Sequence, residues 1–173
     1  KAYPNVELIT PSQKNYGENY RTFCTAGRDW HWQGLHFQIL SPHNVVTRAD
    51  NPHSCVILVD DGKNSVLLTG DAEAKNEQIF ARTLGKIDVL QVGHHGSKTS
   101  TSEYLLSQVR PDVAIISSGR WNPWKFPHYS VMERLHRYKS AVENTAVSGQ
   151  VRVNFFQDRL EIQQARTKFS SWY

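Results

Sequence analysis

Four short apolar runs, each cut off by a polar or glycine-bearing turn, constrain this chain more than anything else in it: "CVILVD", "SVLLTGD", "DVLQVGHHG" and "DVAIISSG". Each has the length of a strand and is rich in Val, Ile and Leu, as strands buried on at least one face are. The first two are joined by "DGKN" and read as a hairpin. The last three are separated by stretches of helical length. One is "AEAKNEQIFARTL", with Ile79, Phe80 and Leu84 on one side; the other is "TSTSEYLLSQVR", whose start offers several hydroxyl N-caps. Upstream, "HWQGLHFQIL" reads as a tight hairpin turning at Gly34. Downstream, "YSVMERLHRYK" reads as a helix and "AVENTA" as a strand, and "QVRVNF" and "RLEIQQA" pair across "FQD". A strand-rich front, then β-α-β-α-β-α, then a closing hairpin predicts an α/β fold with a mixed β-sheet and helices on one face.

The 173 residues suit one domain with a sizeable core. No apolar run approaches the roughly 20 residues of a membrane-spanning helix, and "KAYPNVELIT" lacks the apolar stretch of a signal peptide. The chain begins at Lys1 and its one methionine is Met132, so a piece of a longer protein is expected. Only "AEAKNEQ" and the polar end "ARTKFSSWY" look like linkers. The net charge of +4 suits a polyanionic partner without demanding one. The one loose basic group, "RLHRYK", reads as a solvated helix face. Cys24 and Cys55 form no CxxC pair, which excludes a zinc ribbon; a disulfide and two buried thiols both remain open.

The polar residues fall where chemistry can be built. Asp71 ends one apolar run and His94 and His95 end the next. If those strands are neighbours, a carboxylate and two imidazoles converge on one sheet edge, a donor set suited to zinc, manganese or iron. Gly70 and Gly96 let the backbone turn sharply on either side. Ser97, Thr99, Ser100, Thr101 and Ser102 offer hydroxyls and amides near a helix start, where a phosphate is favoured. His128, opening a helix after "WNPWKFP", is a further site candidate, with His53 behind it. His31, His36 and His43 read as surface residues and His136 as solvated. The five tryptophans read as core and rim rather than as a base-stacking platform, with Trp121 and Trp124 alone near enough to the proposed site to touch a nucleotide.

The pair "LLTGD" and "VLQVGHHGSKTS" resembles the metallo-β-lactamase superfamily. With "CTAGRDWHWQGLHFQIL", "RPDVAIISSGRWNPW" and "TAVSGQVRV", it looks like the C-terminal soluble domain of the ComEC competence family of DNA-uptake channels. The resemblance implies the C-terminal part of an αββα sandwich with a divalent metal, Zn or Mn, between its sheets. Asp71 would bridge two metals, His94 and His95 would be metal ligands, and His95 would also be catalytic. Ser97 and His128 would meet substrate. It further implies a metal-dependent nuclease acting on DNA, single strand or incoming duplex, on the periplasmic side of an inner-membrane parent. That setting favours a Cys24–Cys55 disulfide.

Two departures bear on this. The superfamily's His-x-His/Asp-x-Asp-His signature has no match here; residues 1–173 are therefore expected to be one partial domain, with the metal motif and the membrane segments of the parent upstream. Phe126 also stands where the family is expected to carry a histidine; either His128, two places on, substitutes for it or the second metal is lost. The expectation is thus a fragment that is inactive alone, holds metal poorly or not at all, and tends to associate through an uncovered apolar face. The alternatives are a degenerate DNA-binding or bracing domain of the same channel, or another phosphoester hydrolase.

Overall fold

The computed structural model describes residues 6–15 and 20–166; most of the polar end "ARTKFSSWY" lies outside these residues. In chain order the elements are β1 (Glu7–Thr10), β2 (Tyr20–Phe23), β3 (Asp29–Trp32), β4 (Leu35–Ser41), β5 (Val56–Asp60), β6 (Ser65–Leu68), α1 (Ala74–Phe80), β7 (Val89–Gln91), α2 (Glu103–Val109), β8 (Val113–Ile116), α3 (Tyr129–Arg137), β9 (Ala141–Asn144), α4 (Thr145–Ser148), β10 (Val151–Phe155) and β11 (Leu160–Gln164).

Strands β3 to β9 form one seven-stranded sheet in sequence order. The first four are antiparallel, joined by short turns. From β6 onward the pairs β6–β7, β7–β8 and β8–β9 are parallel, because each connection carries a helix or a long loop back across the sheet. This is the mixed sheet that the order of apolar runs predicts. The Gln33–Gly34 turn has positive φ at both residues (49° and 82°), the geometry that a two-residue hairpin requires.

One face of the sheet is covered by helices. Val56, Leu67, Leu90, Ala114 and Ile116 meet Phe80, Leu105, Leu106, Val109, Val131 and Leu135 in one buried cluster. The opposite face carries Trp30, Phe37, Ile57, Val59, Val66, Leu68 and Ile115, none of them fully buried, beside Ile39, Val89 and Val113, which are buried. An apolar, half-open face is what one sheet of a two-sheet sandwich presents before its partner is added.

Several expectations change. The β10–β11 hairpin forms its own two-stranded sheet, and β1 and β2 pair parallel in another. "AVENTA" yields four strand residues and then turns into α4. On α1 the buried residues are Glu77 and Phe80, whereas Ile79 is half exposed. Arg134 is half-buried rather than free in solvent: its guanidinium donates to the Thr101 carbonyl at 2.9 Å and the Ser100 carbonyl at 3.0 Å.

Cys24 and Cys55 are paired, with Cα atoms 5.9 Å apart and a sequence separation of 31. The bridge ties the segment after β2 to the residue before β5. Closing a loop of that length in the unfolded chain costs entropy, so the bond stabilises the fold by roughly 3–4 kcal/mol. Cys24→Ser together with Cys55→Ser is expected to lower the melting temperature by roughly 8 °C. Equal melting of oxidised and reduced protein in a thermal scan would contradict that.

Candidate functional site

The parallel register puts the carboxyl ends of β6, β7 and β8 side by side. Gln91, the last residue of β7, joins the first two: its Oε1 accepts from the amides of Thr69 and Gly70, each at 3.1 Å. Thr69 Oγ1 returns a bond to the Gln91 carbonyl at 2.8 Å. Three residues after Gln91 the His94 amide donates to the Gly70 carbonyl at 2.9 Å. The backbones that carry Asp71 and His94 are therefore fastened together, and the Asp71 amide is held by Ser54 Oγ at 3.1 Å.

His94 and His95 both lie in the left-handed region, with φ of 49° and 57°. For residues with a Cβ this costs roughly 1–2 kcal/mol each. Two adjacent strained residues at a strand end are a mark of a functional turn. His95 is exposed, and its Nδ1 donates to the Ser117 carbonyl at 2.7 Å, at the end of β8. That bond leaves Nε2 as the ring's acceptor, the state needed in a metal ligand or a proton acceptor. His94 is half-buried, 3.5 Å from Asn51 Nδ2 and edge-on to Phe126 with ring centroids 5.9 Å apart.

These donors suit a divalent cation in kind. They do not close around one by themselves: among the described residues, three donor atoms within 4.8 Å of one another occur at Asp29, His31 and His36, not at Asp71, His94 and His95. The strand-end edge therefore fits part of a metal site.

The other sequence candidates are dispersed around this edge. Ser97 is 7 % exposed and its hydroxyl bonds Thr99 Oγ1 at 3.1 Å. His128 is exposed and caps α3, its Nδ1 accepting from the Ser130 amide at 3.3 Å. Its own amide donates to the Gly96 carbonyl at 2.8 Å, which ties the start of α3 to the histidine turn. His53 uses Nδ1 to accept from the Asp50 amide at 3.2 Å.

The hydroxyl-rich loop is not left open for a phosphate at the start of α2. Glu77, fully buried, fills that place and accepts from the Thr101 amide at 2.5 Å and the Ser102 amide at 2.7 Å. Burial holds its carboxyl above the ordinary value of 4.5, opposed by those amides and by Arg134. A glutamate in a stretch that reads as linker gave no sequence signal for this.

Next to His95 lies a cavity of about 240 Å³ lined by Ser118, Gly119, Asn122, Pro123, Trp124 and Phe126. Asn122 braces its loop, donating to the carbonyls of Gly119 and Phe126 at 2.8 and 2.9 Å and accepting from the Phe126 amide at 2.7 Å. Trp121 and Trp124 remain 89 % and 72 % exposed on this braced loop.

Over residues 1–120 the amino-acid sequence matches the profile of the Metallo-beta-lactamase superfamily, and the chain belongs to that superfamily. The chain is 98% identical over 173 residues to Recombination protein 2 of Haemophilus influenzae, covering all of this chain and 22% of that protein. It is 38% identical over 123 residues to ComE operon protein 3 of Bacillus subtilis, covering 70% of this chain and 16% of that protein. It is 33% identical over 167 residues to Competence protein ComA of Neisseria gonorrhoeae, covering 95% of this chain and 24% of that protein. The chain spans less than a quarter of the length of each of these relatives. Among the described residues no helix is long and apolar enough to cross a membrane.

Proposed function

We propose that this chain is the downstream part of a metal-dependent phosphodiesterase domain that cleaves DNA as part of an uptake channel. The observation that carries the reading is the fastening of the Asp71 and His94 backbones at adjacent parallel strand ends, with His95 beside them on Ser117. In this reading Asp71 and His94 contribute ligands, and the Nε2 of His95 faces the metal or the scissile phosphate. The remaining ligands come from the upstream part of the parent, which also covers the apolar face opposite the helices. When bound, a divalent cation supplies a nucleophile at neutral pH and balances charge on the phosphate oxygens. The braced loop offers Trp121 and Trp124 to an unpaired base. The relatives' names, Competence protein ComA and Recombination protein 2, support DNA as the partner. The disulfide suits an oxidising location outside the cytoplasm.

The test is a cleavage assay on the domain extended upstream through its remaining ligands, with Mn²⁺ or Zn²⁺ and a labelled oligonucleotide. Metal-dependent cleavage is expected, reduced at least about a hundredfold by Asp71→Ala or His94→Ala, and absent from the 173-residue chain alone. Cleavage that survives both substitutions would refute the reading.

One observation favours a second reading. Phe126 packs its ring against His94, where a further imidazole would complete the edge. A domain that binds DNA without cutting it would retain the Trp loop and lose the chemistry. Binding without cleavage by the extended domain, in either metal, would select it.

A further inference from the structure

A second cluster of donors lies at the other end of the sheet, on the three antiparallel strands β3, β4 and β5. His31 stands directly opposite His36, and His36 directly opposite Asp60. Asp29 is two residues before His31 and so shares its face. The two rings are stacked, with centroids 4.4 Å apart and an interplanar angle of 8°. His36 sits between two carboxylates: Nε2 is 3.0 Å from Asp29 Oδ2 and Nδ1 is 3.5 Å from Asp60 Oδ2. Donor atoms of Asp29, His31 and His36 all lie within 4.8 Å of one another.

We propose that Asp29, His31 and His36 form a binding site for a divalent transition metal of the zinc, nickel or copper type, with Asp60 orienting His36 from behind. Two imidazoles and a carboxylate are a common donor set for these ions. An ion pair alone accounts for His36, but not for a second imidazole stacked against it across the strands. Asp60 Oδ2 stands 3.5 Å from His36 Nδ1, in ion-pair reach, and a small approach would give the carboxylate–histidine hydrogen bond that fixes the tautomer of a metal-bound imidazole. Ligands around a tetrahedral ion stand about 3.4 Å apart at bond lengths near 2.1 Å. Closing from the present spacing needs side-chain rotations of roughly 1–1.5 Å, which an exposed hairpin permits. The cluster lies on the helix-side face but beyond the buried helix-covered core, away from the open apolar face, so covering that face leaves it accessible. A bound ion would clamp the edge strand β3 to β4, and edge strands are where a sheet is most exposed to wrong pairing. The proposal does not depend on the strand-end site having any activity.

The experiment is a titration of the 173-residue chain with Co²⁺, followed by visible absorption, and with Zn²⁺, followed by calorimetry. A saturable site well below millimolar is expected. His31→Gln or His36→Gln should weaken it by more than about tenfold and change the Co²⁺ spectrum. Asp60→Asn should weaken it about tenfold while leaving that spectrum in place. The double variant Asp71→Ala, His94→Ala should bind as the parent does. Binding lost in that double variant but kept by His31→Gln and His36→Gln would overturn the proposal. So would the absence of saturable binding below millimolar Co²⁺ and Zn²⁺. Far-UV circular dichroism and melting of each variant confirm that the exposed substitutions leave the fold intact.

Discussion

Replacing Glu77 by alanine lowers stability by about 4 kcal/mol, read as a fall in melting temperature of roughly 12 °C. The carboxylate lies under the start of α2, fully buried, and two backbone amides depend on it: Thr101 at 2.5 Å and Ser102 at 2.7 Å. Alanine leaves both without an acceptor, the Thr101 amide fully buried and the Ser102 amide partly so. Each orphaned amide costs about 1–3 kcal/mol. The damage extends further, because Thr101 Oγ1 accepts from the Gly93 amide at 3.0 Å, directly ahead of the histidine pair. Gln78→Ala, on the exposed side of the same helix, is the control and should melt with the parent. An equal effect from the two substitutions would remove Glu77 from this role.

The same residue gives the fold a pH dependence with a definite sign. Burial holds the Glu77 carboxyl above its ordinary value of 4.5, and the amides and Arg134 offset this only in part. The folded chain thus keeps this proton to higher pH than the unfolded chain. Its contribution to stability is fully present below the ordinary value and is lost as pH rises through the raised one. Glu77→Gln does not titrate. The stability of the parent relative to Glu77→Gln should therefore decline as pH rises above 4.5, in denaturant titrations at matched ionic strength. A difference that grows over that interval would reverse the assignment.

Much of the sheet was legible because its strands are short Val/Ile/Leu runs bounded by turns. "SVLLTGD" and "DVLQVGHHG" became adjacent parallel strands because the helix between them must return the chain across the sheet. The gathering of Asp71, His94 and His95 at one edge follows from that parallel pairing. What the sequence hid was long-range and polar. Strands β1 and β2 are four residues each and pair with one another, so neither has enough periodicity to read. Glu77 resembles any surface glutamate of an amphipathic helix until α2 is docked over it. His31 and His36 look like two unrelated surface histidines, since only the antiparallel register sets one ring on the other. Arg134 likewise read as solvated because the carbonyls that it holds belong to a loop more than 30 residues upstream.

Gly96→Ala is expected to cost about 4 kcal/mol and to disturb the histidine edge directly. Gly96 has φ of +84°, so any side chain there is strained before it meets a neighbour. A Cβ at this position would lie 2.6 Å from Pro127 Cβ and 2.9 Å from Pro127 Cα. Neither atom can swing aside, because one belongs to a ring and the other to the backbone. Pro127 cannot retreat either: the next residue, His128, is bonded through its amide to the Gly96 carbonyl and caps α3. The turn must therefore move away from the 126–128 segment. That carries His95 off the Ser117 carbonyl and opens the packing of His94 on Phe126. The observable is a loss of roughly 12 °C in melting temperature, with displaced imidazole resonances for both histidines. Gly85→Ala, where a Cβ meets nothing within 4 Å, supplies the control. If both alanine variants melt with the parent and His95 keeps its resonance, the turn is not under the constraint described. The tie between this glycine and the start of α3 would then have no part in holding the site.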